Sequence, residues 1–92
     1  QQGCGFNEPV YQESLEIELQ LRDVPFVSQP EMKLSYKGRP LQAAFRPDFI
    51  CFGGIVLEIK AVAALIPAHE SQVLSYLAAS GHDLGLLVNF GS

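Results

Sequence analysis

The feature that most constrains the fold is a pair of nearly continuous apolar runs, DFICF and IVLEI, separated by Gly53 and Gly54. Two such runs around a glycine turn are typical of antiparallel strands joined in a hairpin. A strand with one face in water alternates apolar and polar residues, whereas a continuous apolar run is typical of a strand covered on both faces. The sequence therefore predicts a central hairpin with other elements packed on each side.

Two segments have the spacing and the end signals of helices. The first is predicted over about residues 8–22, with Asn7 as N-cap and Glu8 complementing the positive helix end. The second, PAHESQVLSYLAAS, begins at Pro67 and is closed by Gly81. Its predicted core face is Val73, Leu74, Leu77 and Ala78, and its predicted polar face is His69, Gln72, Tyr76 and Ser80.

The remaining segments predict strands. The alternating run MKLSYKG predicts one strand, the stretch 41–52 a second and IVLEIKAV a third, together forming an antiparallel meander. The run DLGLLVNF predicts a short buried strand after the second helix. The order helix, three strands, helix, strand predicts an α+β sandwich in which the helices pack on a mixed sheet.

Composition limits the class of protein. The 92 residues are 48% apolar and 17% charged, which predicts one globular domain from end to end. The sequence opens without Met, so we expect that domain to be trimmed at its ends. Apolar runs are too short to span a membrane, and Cys4 and Cys51 lack the spacing of a zinc site, which favours reduced thiols and a cytoplasmic location. The net charge of −4, with no run of Lys or Arg, counts against tight non-specific binding to duplex DNA.

Three charged residues interrupt the apolar hairpin, namely Asp48, Glu58 and Lys60. Burial of such groups costs free energy unless they are paired or bind an ion. Two carboxylates can hold Mg²⁺ through oxygen ligands, and a nearby Lys can orient water or stabilise a developing phosphoryl charge. The set therefore indicates a site of the kind that nucleases use.

The length of the hairpin loop decides whether these side chains meet. A loop of Gly53-Gly54 alone would pair Asp48 with Ile59 and place it on the face opposite to Glu58. A three-residue loop beginning at Phe52 pairs Asp48 directly with Glu58, and a glycine at its third position suits a left-handed residue. A bulge elsewhere in either strand would have the same effect.

These residues also resemble a known motif. Pro47-Asp48 followed by Glu58-Ile59-Lys60 resembles the PD-(D/E)xK motif of restriction-endonuclease-like phosphodiesterases, whose core order is α-β-β-β-α-β. The stretch GFNEPVY, residues 5–11, is similar to the G-x-x-E-x-x-Y signature of a small bacterial family within that superfamily. HESQVLSYL and GLLVNFG look like the second helix and closing strand of the same family, so the resemblance covers nearly the whole chain.

The resemblance implies a role for each matching residue. Asp48, Glu58, the backbone carbonyl of Ile59 and Glu8 would bind the metal, Mg²⁺ or Mn²⁺, and Lys60 would be the catalytic lysine. Gln72 and Tyr76 match a Q-x-x-x-Y motif that flanks the site in helicase-linked exonucleases, which implies contact with a nucleic-acid substrate. The implied activity is metal-dependent hydrolysis of phosphodiester bonds in DNA or RNA.

Other interpretations of the same residues stay open. The chain could be a non-catalytic interaction module, or a homodimer, that keeps the nuclease fold and binds a protein or nucleic-acid partner. The three charged hairpin residues could form a structural salt bridge, and Glu8 could serve only the helix end. His69 is predicted to be a hydrogen-bonding histidine rather than a ligand, and Gln72 with Tyr76 could be simply a polar helix face.

Overall fold

A computed structural model describes residues 8–91 of the chain. Within them lie two helices, α1 (Glu8–Leu21) and α2 (Pro67–Ser80). The strands are β1 (Phe26–Ser28), β2 (Met32–Tyr36), β3 (Arg39–Phe45), β4 (Phe49–Cys51), β5 (Ile55–Lys60) and β6 (Leu84–Asn89). Both predicted helices and the closing strand are confirmed to within a residue or two, whereas the N-cap predicted at Asn7 lies outside the described residues.

Four strands form a mixed sheet in the order β1-β4-β5-β6, and β2 and β3 form a separate two-stranded sheet. Strand β5 is antiparallel to β4 and parallel to β6. This arrangement confirms the α+β class and the mixed sheet flanked by helices that the resemblance implies. Neither helix within residues 8–91 is long and apolar enough to cross a bilayer.

The predicted three-stranded meander is wrong in one respect, because residues 41–52 do not form a single strand. The chain leaves β3 at Phe45, passes through Arg46 and Pro47, and enters β4 in the other sheet. Proline has no N–H to give to a strand ladder and restricts the residue before it, so the ladder stops here. The predicted strands do not include β1, which pairs with β4.

The central hairpin is covered on both faces, as its apolar sequence predicts. On one face, buried side chains of β4 and β5 pack against α1: Leu19, Phe49, Cys51, Leu57 and Ile59. On the other face, the buried side chains come from both sheets and α2: Leu34, Phe45, Ile50, Val56, Val73 and Leu77. The hairpin is therefore the middle layer of the molecule.

The core face of α2 is narrower than predicted. Val73 and Leu77 are buried, but Leu74 is 65% exposed and Ala78 is exposed. The helix approaches the sheet closely over Gly85, where an added Cβ would lie 3.1 Å from Val73 Cγ1. Such a close approach leaves room for one line of side chains. The predicted end of the helix is confirmed, since Gly81 has a φ of 78°.

Candidate active site

The hairpin turn places the two central carboxylates opposite each other. Cys51 pairs with Ile55 and Phe49 with Leu57, so the loop contains three residues. The next residues outward from the last ladder pair are Asp48 and Glu58. The turn differs from the sequence prediction in its detail. Phe52 and Gly53 are left-handed, with φ of 54° and 74°, whereas Gly54 is not. The N–H of Gly54 donates to the carbonyl of Cys51 at 3.1 Å and closes a turn with two left-handed central residues.

Asp48 is tied to the neighbouring strand through its side chain. The backbone N–H of Ile59 donates to Asp48 Oδ2 at 2.7 Å, a short hydrogen bond of the kind carboxylates form. The Asp48 carboxyl group also lies close enough to Glu58 to raise the pKa of that residue. The structure thus places the Asp48 carboxylate against the backbone of Ile59, the residue next to Glu58 in β5. The side chain of Ile59 is only 2% exposed and lies in the core.

Burial and a neighbouring carboxyl group change the titration of Glu58. Burial is the largest cause, and the nearby carboxyl group of Asp48 adds to it, so the pKa of Glu58 rises to about 8. The positive charge of Lys60 acts in the opposite direction. Near neutral pH the pair of Asp48 and Glu58 therefore holds a proton, which relieves the repulsion between their negative charges. A bound cation would relieve the same repulsion.

Glu58 and Lys60 line one open cleft of about 260 Å³ together with residues of α2. Gln72 and Tyr76 lie on its far wall, as the polar stripe of the helix predicts. The Tyr76 ring stacks on Phe45 with centroids 4.0 Å apart and planes 4° from parallel. This stack fixes the ring at the border of the cleft.

Glu8 lies elsewhere. It is exposed at the start of α1 and lines a second hollow of about 400 Å³ with Gln12, Gln29 and Asp48. Asp48 lines this hollow, whereas Glu58 lines the cleft. The geometry brings Glu8 to the Asp48 side of the pair and does not bring it into the cleft with Lys60.

The alternative interpretations meet different outcomes. Within residues 8–91 the one salt bridge joins Glu18 and Arg22, so Lys60 has no carboxylate within 4.0 Å. His69 accepts a hydrogen bond at Nδ1 from the backbone N–H of Ile66 at 3.1 Å, as predicted for a hydrogen-bonding histidine at the helix start. Burial raises the pKa of the Cys51 thiol, which agrees with a packing role for that residue.

The donor set of the carboxyl pair fits a hard divalent cation. No group of three or more His, Cys, Asp or Glu side chains in the described part of the chain gathers around one point, which is unlike a protein-only metal cage. Mg²⁺ is commonly bound through one or two carboxylates, with water and substrate phosphates completing its shell. Two neighbouring carboxyl groups, one of which lines an open cleft, match that mode of binding.

Two residues that line these hollows escaped the sequence analysis as site residues. Arg46 is an exposed cation that lines the cleft beside Glu58 and Lys60. Gln12 donates from Nε2 to the backbone carbonyl of Asp48 at 3.1 Å. A helical signal for Gln12 was present, since residues four apart share a helix face and Gln12 follows Glu8 by four. Arg46 lies between β3 and β4, so strand alternation gives no signal for its place at the cleft.

Comparison with known proteins gives one match. A family model described as the PD-(D/E)XK nuclease superfamily matches residues 1–92. Searches of the curated proteins and of the solved structures returned no match.

Proposed function

Because the chain belongs to the PD-(D/E)XK nuclease superfamily, we propose that it is a metal-dependent nuclease that hydrolyses phosphodiester bonds in DNA or RNA. The observation that carries the proposal is that Asp48 bonds to the backbone of Ile59 beside Glu58, while Glu58 and Lys60 line one cleft. A structural salt bridge would pair Lys60 with one of these carboxylates, and the structure shows no such pair within 4.0 Å among residues 8–91.

Each residue contributes a distinct step in this proposal. Asp48 and Glu58 bind Mg²⁺ or Mn²⁺, with the carbonyl of Ile59 and the carboxylate of Glu8 as further oxygen ligands. When bound, the ion supplies Lewis-acid activation of water and neutralises charge on the phosphate. The Lys60 ammonium group positions the attacking water and stabilises the charge that develops on the phosphoryl oxygens.

The cleft walls hold the nucleic acid. Gln72 donates to or accepts from the strand, and the stacked Tyr76 ring offers a flat, rigid surface to a base or sugar. The guanidinium group of Arg46 can form two hydrogen bonds with one phosphate. These contacts place a phosphodiester over the carboxyl pair.

The direct test is cleavage. Purified protein with Mg²⁺ or Mn²⁺ is incubated with single-stranded, duplex and branched DNA and with RNA, and products are resolved by size. We expect cleavage of at least one substrate, and its loss in the double variant Asp48→Ala, Glu58→Ala. The matched control is the double variant Glu13→Ala, Glu31→Ala, which removes two exposed carboxylates and should keep full activity. Inactivity of the wild-type protein on every substrate contradicts the proposal.

A second candidate function is the non-catalytic module, as a monomer or a homodimer. Exposed apolar side chains that line one hollow between α2 and β6 favour it: Leu65, Leu74, Leu84 and Leu86. If light scattering gives the mass of a monomer and Mn²⁺ raises the melting temperature, the nuclease is favoured. A dimer that Leu84→Ser dissociates, without any response to Mn²⁺, favours the module.

A further inference from the structure

Gln12 connects α1 to the backbone of Asp48 across 36 residues of sequence. Its Nε2 donates to the Asp48 carbonyl oxygen at 3.1 Å and to Ser28 Oγ at 3.1 Å. The same carbonyl accepts the backbone N–H of Gln29 at 2.9 Å. The backbone of Asp48 is therefore held from two directions, by the first helix and by the segment after β1.

Asp48 needs this support because it lies outside the regular ladder of the sheet. Strand β4 begins at Phe49, and the preceding residue is Pro47, which has no N–H to donate. Its carboxylate is fixed at the other end by the N–H of Ile59. The position of the Asp48 carboxyl group relative to Glu58 thus depends on hydrogen bonds to its backbone carbonyl and to its side chain. Gln12 donates one of the two bonds to the carbonyl.

Stability alone is a poor reason for an amide at this place. Gln12 Oε1 is buried and accepts no hydrogen bond from residues 8–91. An unpaired buried acceptor costs about 1–3 kcal/mol, and an apolar side chain of similar shape would avoid that cost. The amide donor is what this position gains from Gln, and its target is the backbone of Asp48.

We propose that Gln12 is a positioning residue that holds Asp48 where its carboxylate can bind the divalent ion together with Glu58. The inference rests on the proposed function, since it assigns Gln12 to the same metal site. Loss of a partner that orients a metal ligand typically weakens metal affinity about 10- to 100-fold. Loss of the Gln12 amide should therefore weaken metal binding without a matching loss of fold stability.

The test variant is Gln12→Met, which keeps the length of the side chain and removes the donor. The apparent dissociation constant for Mn²⁺ is measured from the rise in melting temperature over a series of Mn²⁺ concentrations, because an ion that binds only the native state stabilises it. We expect Mn²⁺ binding weakened about 10- to 100-fold. The melting temperature without metal should change little, since the variant also removes the unpaired acceptor.

Two controls isolate the bond to Asp48. Gln20→Met makes the same substitution at an exposed position of the same helix and should bind Mn²⁺ like the wild type. Ser28→Ala removes the other acceptor of the Gln12 amide and leaves Asp48 bonded, so it should also bind Mn²⁺ normally. If Gln12→Met is only partly folded, Gln12→Asn keeps the amide but shortens its reach by one methylene, and the same loss of affinity is expected.

A kinetic readout gives a second, independent measurement. Cleavage by the Gln12→Met enzyme should recover at high Mn²⁺ concentration, with an unchanged KM for the nucleic acid, because the variant affects the ion and not the substrate. Unchanged Mn²⁺ affinity in the folded variant, whatever its melting temperature, overturns the inference and leaves the proposed function intact. A wild-type protein that shows no response to Mn²⁺ contradicts the proposed function and the inference with it.

Discussion

The carboxyl group of Glu58 is predicted to make the metal-free protein less stable as pH rises. Its pKa is about 8 in the folded protein against an ordinary 4.5, mainly through burial and secondly through Asp48. The folded state binds the proton more tightly, so the contribution to stability is fully present below 4.5 and is lost as pH rises through about 8. Melting temperatures in EDTA over this pH range should fall.

The control for this prediction is a pair of amide variants. Glu58→Gln should flatten the decline because the amide does not titrate, while Glu31→Gln at an exposed position should leave it unchanged. Since Mn²⁺ competes with the same proton, the stabilisation by Mn²⁺ should grow over the same pH interval in the wild type. A wild-type stability that does not depend on Glu58 in this range would contradict the raised pKa.

Replacement of Lys60 should affect cleavage much more than it affects the stability of the fold. Lys60→Met keeps most of the apolar stem and removes the ammonium group, so the melting temperature should be nearly unchanged while cleavage falls by orders of magnitude. Mn²⁺ binding should be kept or strengthened, because a competing cation is lost. Lys33→Met, on the exposed side of β2, is the matched control and should stay active. Full activity of Lys60→Met would show that Lys60 has no part in the reaction.

At the scale of elements, the turn between β4 and β5 yields a prediction from two adjacent glycines. Gly53 has a φ of 74° and Gly54 does not, yet neither has an atom within 4 Å of an added Cβ. Backbone conformation alone therefore decides the result. Gly53→Ala should lower the free energy of unfolding by about 1–2 kcal/mol, because Cβ disfavours the left-handed region. Gly54→Ala should be neutral or stabilising by up to about 1 kcal/mol.

Denaturant titration of both variants measures this difference. Since the left-handed residues set the loop length, and the loop length sets the pairing of Asp48 with Glu58, Gly53→Ala should also weaken Mn²⁺ binding more than Gly54→Ala does. Equal stability of the two variants would show that the turn does not have the described geometry.

The elements differ in how far local sequence determines them. Two apolar runs with a glycine turn between them were sufficient to predict the buried hairpin. The length of its loop stayed open between two residues, three residues and a bulge until the register was known. The break at Pro47 was not predicted, because the run FRPDF is apolar on both sides and periodicity does not show a change of sheet. Leu74 was assigned to the core by spacing alone, but the width of a helix contact depends on how closely Gly85 lets α2 approach.

At the scale of the whole molecule, the site depends on contacts that sequence patterns do not record. The hydrogen bond from Gln12 to Asp48 joins residues 36 apart in the sequence. The cleft is lined by residues of β3, β5 and α2, which come from distant parts of the chain. Hydrophobic periodicity specifies faces of elements and not which polar side chains meet across them. The motif indicated Asp48, Glu58 and Lys60, whereas the bond from Gln12 to Asp48 and the place of Arg46 at the cleft are seen only in the tertiary structure.

The charge balance of the chain leads to the last prediction. With ten acidic and six basic residues, the molecule as a whole repels nucleic acid, so binding must depend on a few cations at the cleft. Lys60 and Arg46 both line it. Each phosphate contact on a single strand contributes about 0.7 to the slope of log affinity against log salt. Two contacts predict a slope of about −1.4 for the wild type, falling to about −0.7 in Arg46→Ala.

Fluorescence anisotropy of a labelled single-stranded oligonucleotide, in Ca²⁺ to limit cleavage and over a series of KCl concentrations, measures these slopes. Arg39→Ala removes the same type of charge from the exposed start of β3 and should keep the wild-type slope, because that residue does not line the cleft. Metal affinity should be equal in all three proteins. If Arg46→Ala and Arg39→Ala reduce the slope equally, the attraction is a general effect of charge, and the cleft does not concentrate the phosphate contacts.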